Sequence, residues 1–218
     1  MSLLWAYQKT SIFKTQNFKT CYMTNDGSTQ TIIIKDSTAN PAPLGLLGFG
    51  MTTILLNIHN AGIYELDSMI MGMGIFMGGI AQIFAGIQEW KKNNTFGATA
   101  FTAYGSFWLS LVALWLIPKT TFGADYKSSE TAVAWYLLLW GIFTFFMFIG
   151  TLKLNRLLQI IFFTLTVLFF LLAASDFTGN KSLHTIAGYE GIICGASAFY
   201  GSVAQVINEV HGRKVFPL

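Results

Sequence analysis

Apolar residues in this chain fall into six long runs, separated by short clusters of charged and turn-forming residues. Each run is roughly 18–22 residues long, and a helix rising about 1.5 Å per residue needs about 20 to cross a bilayer core. The pattern predicts helices over Pro41–His59, Ser68–Ile87, Phe96–Ile117, Ala132–Thr151, Leu157–Ala174 and Ala187–Asn208. The third stops at Pro118, because proline pushes the residue before it out of helical geometry. The fold class is therefore an all-α membrane protein: a compact bundle of six transmembrane helices. The chain divides into a polar tail (1–38), the transmembrane domain (39–210) and a short C-terminal tail (211–218).

The N-terminal tail has no continuous apolar core and no small-residue cleavage site, so it does not read as a signal peptide. Lys9, Lys14 and Lys19 alternate with Trp5, Tyr7, Phe13 and Phe18. That mixture fits either a segment lying on a surface or a disordered tail, and Met23 is a second candidate start of translation.

Composition sharpens the membrane reading. The chain is 53% hydrophobic and 11% charged, against about 25% charge in a soluble domain. The net charge of +3 is spread over loops and makes no nucleic-acid footprint. Cys21 and Cys194 form neither a disulfide framework nor a metal spacing. Ten of the 13 Lys and Arg residues lie in the N-terminal tail, the second and fourth loops and the C-terminus. The positive-inside rule then puts both termini in the cytoplasm and the protein in the cell (inner or plasma) membrane. Trp90, Trp115, Trp135, Tyr126 and Tyr189 fall near helix ends, the headgroup level that aromatic rings favour.

Small residues concentrate in the first, second, third and sixth helices. Gly74 and Gly78 form a GxxxG pair, as do Gly191 and Gly195, and such pairs let helices meet backbone to backbone. The fourth and fifth helices are instead rich in Phe (143, 145, 146, 148, 162, 163, 169, 170), a surface for lipid or a neighbouring subunit. Phe96-Gly97-Ala98-Thr99-Ala100-Phe101 echoes Cys194-Gly195-Ala196-Ser197-Ala198-Phe199, and Tyr104-Gly105-Ser106 echoes Tyr200-Gly201-Ser202. The echo is either an inverted repeat of three helices or a chance recurrence of small residues.

Catalysis finds no support. There is no Ser/His/Asp set, no HExxH and no phosphate-cradling glycine loop, so no catalytic residue, no metal ligand and no cofactor is assigned. His59, His184 and His211 fall at helix ends or in loops. Charge within the spans would be costly and informative, but only Glu89, Glu190 and Glu209 come close. Each reads first as an interfacial residue reaching water; Glu190 is the best of the three for a link to protons. The stretch Asn40-Pro41-Ala42-Pro43-Leu44-Gly45-Leu46 opens the first helix. Asn40 suits an N-cap and proline a first helical turn. It is either a well-capped membrane helix with small residues for packing, or a helix start aimed at an anion.

That stretch resembles the signature of the acetate uptake transporter family, which includes the succinate–acetate permeases. The likeness continues through Gly48-Phe49-Gly50-Met51-Thr52-Thr53, Gly78-Gly79-Ile80-Ala81-Gln82, Asn94-Thr95-Phe96-Gly97, Tyr104-Gly105-Ser106-Phe107-Trp108 and Cys194-Gly195-Ala196-Ser197-Ala198. It spans about residues 39–215. The resemblance implies a homo-hexamer in the bilayer, each protomer with its own pathway. It implies uptake of acetate and related carboxylates (succinate, with lactate and propionate as further candidates), coupled to protons. It also implies an apolar constriction of Phe49, Tyr104 and Leu165, with Ala198 shaping substrate size. The pathway set is then Asn40, Pro41, Pro43, Leu44, Gly45, Phe49, Thr52, Thr53, Tyr104, Leu165 and Ala198, with Glu190 the proton-linked candidate. Phe49, Tyr104 and Leu165 each lie about eight or nine residues into outward-running helices, which is about 12–14 Å of depth. A passive channel for small anions or polar solutes such as urea or ammonia is the competing reading.

Overall fold

The structure, a computed structural model, describes residues 18–25, 28–35 and 38–218, and of the two strands only the backbone. The alternation through Lys9 and Lys14, and the side chains of Phe18, Lys19, Cys21 and Met23, lie outside the described residues. The chain forms two units, Met1–Asn40 and Pro41–Leu218.

In the first unit, β1 (Phe18–Asn25) pairs antiparallel with β2 (Ser28–Lys35), in register from Phe18↔Lys35 to Asn25↔Ser28. This hairpin was not foreseen. Its signal was in the sequence: Asp26-Gly27 between runs rich in β-branched residues is a strong short-range mark of a two-residue hairpin turn.

The second unit is the bundle. Its elements are α1 (Ala42–Asn60), α2 (Ser68–Met73), a wide π-helical stretch (Gly74–Ala81), α3 (Gln82–Lys91), α4 (Thr95–Leu116), α5 (Glu130–Thr151), α6 (Arg156–Thr178) and α7 (Lys181–Val210). α2, the π stretch and α3 make one continuous span. Five of the six spans are long and apolar enough to cross a membrane by length and composition; α7, the sixth, is the most polar. Capping side chains set most starts. Asp67, Asn94, Ser129, Asn155 and Asn180 each accept from a first-turn N–H. Asn180 explains why α7 begins two turns earlier than its apolar run: its Oδ1 accepts from Ser182 and Leu183, which carries the polar stretch into the helix.

Successive spans run antiparallel. α1 lies along α7 with Gly188 on Ala61 at one end and Ser202 on Pro43 at the other. The π stretch and α3 lie along α4, from Gly74 on Val112 to Gly97 on Glu89. The two GxxxG pairs behave differently. Gly195 meets the backbone of α1, as the motif suggests, whereas Gly78 leaves a notch that the Trp108 ring fills. The π widening was also unforeseen. Thr52 Oγ1 on α1 donates to Met73 O at its start, 3.3 Å away.

The phenylalanine surface needs correcting. Phe145, Phe146, Phe163 and Phe170 are exposed, but Phe162 and Phe169 are core residues and Phe143 packs against it. A Phe-rich helix offers several faces, and composition does not say which one meets neighbours. The Tyr104/Tyr200 echo does not mark equivalent places either. Tyr104 is buried, whereas Tyr200 is exposed and donates to Pro217 O in a C-terminal tail that folds back along α7.

Candidate functional site

Sequence places three large side chains at one level on three parallel helices, and the structure brings them into one buried cluster. Phe49 (α1), Tyr104 (α4), Leu165 (α6) and Ala198 (α7) are 6%, 3%, 3% and 0% exposed and belong to the same core. Tyr104 is the hub. Its ring centroid lies 6.1 Å from Phe49, 6.0 Å from Phe162, 5.7 Å from Phe143 and 5.9 Å from Trp140. At this level the core is filled by rings.

The polar edge of Tyr104 is committed to the protein. Its hydroxyl is 2.8 Å from Thr144 Oγ1, and Thr144 gives its one hydrogen to Trp140 O at 2.7 Å. Tyr104 therefore donates and Thr144 accepts. Sequence reasoning missed Thr144, a lone hydroxyl in a run of phenylalanines on α5. Ala198 is fully buried on α7, which touches α1 through backbone. A Cβ on Gly50 would stand 2.6 Å from Phe199 N and 2.9 Å from Gly195 O.

Above Phe49 on α1, Thr53 is buried with no partner for Oγ1, and its carbonyl accepts from Asn57 Nδ2 at 2.9 Å. Asn57 Oδ1 accepts in turn from Asn60 Nδ2 at 3.1 Å. Asn57 and Asn60 were also missed, although Asn at i and i+3 on an apolar helix is a visible signal. At the far end, beside the last turn of α1 and the first turn of α7, lies a cavity of about 560 Å³, lined by His59, Asn60, Tyr64, Glu65, Lys181 and His184, among others. Sequence left His59 and His184 as unrelated helix-end residues; the fold gathers them.

At the other end, α1 starts differently from expectation. Pro41, not Asn40, holds the cap position, at φ −81° and ψ −17°, with no side-chain cap bond. A proline already in helical geometry ends the search for a cap one residue late. Pro43 brings no N–H to the first turn, and the Gly45 N–H is used by Pro41 O at 3.3 Å. Pro43 and Gly45 are buried while Leu44 is exposed, so the motif residues face in different directions.

Two of the three carboxylates depart from the interfacial reading. Glu190 sits nine residues into α7, and its Oε2 is buried without a partner. Glu89 is buried. One oxygen accepts from Asn94 Nδ2 at 2.8 Å, and the other has no partner. Glu209 is exposed.

Comparison with known proteins fits this arrangement. The model of the "GPR1/FUN34/yaaH family" matches residues 24–216. The chain is 59% identical, over 83% of its length and 95% of the relative's, to the succinate-acetate/proton symporter SatP of Escherichia coli strain K12. It is 39% identical to the ammonia transport outward protein 2 of Saccharomyces cerevisiae, over 77% of this chain and 61% of that one. A solved structure described as that of the bacterial acetate channel SatP superposes with a TM-score of 0.81 at 58% identity, covering 84% of this chain and 99% of that one. With that family model matched over residues 24–216 and a relative 59% identical over 83% of the chain, the chain belongs to the GPR1/FUN34/yaaH family.

Proposed function

We propose that this chain moves acetate and related small carboxylates, succinate among them, across a membrane, and that flux is coupled to protons. The observation that carries the reading is the neck itself. A layer of Phe49, Tyr104, Leu165 and Ala198 offers no charge and no free hydroxyl, because Tyr104 is spent on Thr144. Such a layer resists hydrated ions and admits a small acid that has lost its charge or its water, since apolar constrictions gate by dewetting. A proton carried with the substrate removes the desolvation cost that a bare carboxylate would meet.

In this reading the Pro41 mouth faces the cytoplasm, with Lys91, Lys92, Lys153, Arg156, Arg213 and Lys214 at that end. Residues 1–38 and 211–218 lie on the same side. Asn40, Pro41, Pro43, Leu44 and Gly45 shape the cytoplasmic entrance, and Thr52 and Thr53 stand behind Phe49. Glu190, whose Oε2 is buried without a partner, is the proton-linked group in this reading. The exposed rings of α5 and α6 fit a homo-oligomer, a hexamer by family resemblance.

The second reading is a passive channel, favoured by the printed description of the SatP structure as an acetate channel. Uptake of radiolabelled acetate into liposomes, with and without an imposed proton gradient, separates the two. Leu165→Ala tests the neck, with flux normalised to folded protein. The expected result is an increase of about tenfold in the rate for a four-carbon acid relative to acetate, about 1.4 kcal/mol off one barrier. Unchanged size selectivity removes Leu165 from the neck.

A further inference from the structure

The last span outruns its neighbours at the Pro41 end. Ser202 Oγ donates to Pro43 O and Gly201 lies on Leu157, and those two partners are the second residues of α1 and α6. α7 continues eight residues past Ser202, to Val210, which is about 12 Å of helix. Val203, Val206 and Val210 on this overhang are exposed. A helix end with little packed on it frays, because its last carbonyls have no helical partners.

The C-terminal tail packs there. Gly212 has φ +61°, a left-handed value that glycine adopts without strain, and it reverses the chain just past the helix. Four hydrogen bonds hold the returning segment. Asn208 Oδ1 accepts from Val215 N at 2.7 Å and Phe216 N at 2.8 Å, and Asn208 Nδ2 donates to Phe216 O at 2.8 Å. The Tyr200 hydroxyl donates to Pro217 O at 2.8 Å, and its ring stands edge-on to Phe216 with centroids 6.3 Å apart. One side-chain amide thus serves both the N–H and the C=O of Phe216, as a neighbouring strand would. The bound sequence suits this role. Pro217 has no N–H to leave unserved, and it confines Phe216 to extended geometry, so the segment is pre-organised for binding.

We propose that this face of α7 is a peptide-binding site for an extended Phe-Pro segment, that the tail fills it in cis, and that the bound tail is a strap which keeps the overhang of α7 helical. The strap reaches from Asn208 back to Tyr200, two residues before Ser202, and so spans the overhang. Fraying that starts at Val210 stops before it reaches the Ser202–Pro43 contact. The strap does not depend on the solute that the bundle carries, so it and the transport reading stand or fall separately.

Hydrogen exchange of the full chain in detergent, read by mass spectrometry, tests the strap. The Val215 and Phe216 amides should be protected although both residues are exposed. Asn208→Ala should remove that protection and speed exchange across residues 203–211 by about tenfold, the scale of several lost hydrogen bonds. Alanine is the better helix former, so propensity alone would slow exchange there. Tyr200→Phe keeps the ring and loses one bond, and its effect should be about two- to fivefold. Glu209→Gln, beside Asn208 but outside the strap contacts, should change nothing. A Phe216→Ala, Pro217→Ala double variant should lose protection as Asn208→Ala does, and an excess of free peptide with the sequence of residues 213–218 should restore it. Unprotected Val215 and Phe216 amides in the wild type overturn the strap. So does an Asn208→Ala variant whose residues 203–211 exchange no faster. Failure of the free peptide to restore protection overturns the peptide-binding site.

Discussion

The bundle is closed by two seams built on opposite principles. Along α1 and α7, Gly50, Gly188 and Gly195 let one backbone lie on the other. Between α4 and α5 the backbones stand apart and rings fill the gap: Phe107 stacks on Tyr136 at 5.7 Å, and Trp140 lies edge-on to both Phe107 and Phe143. A glycine seam has no rotamers to change, whereas a ring seam has one at every contact. Of the two proposed neck residues, Phe49 belongs to the stiff side and Tyr104 to the soft side. If the neck opens by side-chain rotation, it opens from α4–α5, with α1–α7 as the fixed wall.

The comparison breaks most sharply at Gly50. A methyl there meets Phe199 N and Gly195 O, backbone atoms that no rotamer can move. Gly50→Ala should cost on the order of 3 kcal/mol and abolish recovery of monodisperse protein in detergent. A variant that purifies with wild-type melting temperature would mean that the seam yields easily.

On the ring side, Tyr104→Phe and Thr144→Val remove the same hydrogen bond but not with the same result. Tyr104→Phe leaves Thr144 bonded to Trp140 O, at a cost of about 1 kcal/mol. Thr144→Val leaves a phenol O–H buried without an acceptor, at about 1–3 kcal/mol. The melting temperature should therefore fall further for Thr144→Val, and its flux should change more as the Tyr104 ring is released. Equal shifts would show that the ring seam finds another acceptor at once.

Which parts were readable in advance follows from the same contrast. The six spans and their order were legible because length and hydropathy set them locally. The approach of Phe49 to Tyr104 was legible because parallel helices convert residue count into height. The start of α7 was not, because a single capping side chain, Asn180, outweighed four polar residues in the six that follow it. Nor was the partner of Tyr104: nothing in the phenylalanine run of α5 says that Thr144 faces inward until α5 is placed against α4. The pairing of His59 with His184 needed the antiparallel register of α1 and α7, which Gly188 and Gly195 set through contacts between residues more than a hundred positions apart. The prolyl start was read as capped by Asn40, because the local rule for N-caps ignores that Pro41 is itself already helical.

The glycine seam carries one side-chain bond at its proline end, and that bond gives the smallest effect and the cleanest separation of stability from transport. Ser202 Oγ donates to Pro43 O at 2.6 Å from a buried position. Pro43 O faces the next turn of α1, where a helical carbonyl ordinarily accepts from the fourth residue onward, so the serine supplies a second bond to an acceptor already served. Alanine fits the space and buries nothing polar. Ser202→Ala should therefore cost only about 0.5–1 kcal/mol and barely move the melting temperature. If the first turn of α1 shapes the cytoplasmic entrance, the same change should still alter efflux more than uptake, because only substrate arriving from that side meets the loosened turn. Equal changes in both directions would make the Ser202–Pro43 bond a plain packing contact and leave the entrance to be sought elsewhere on that face.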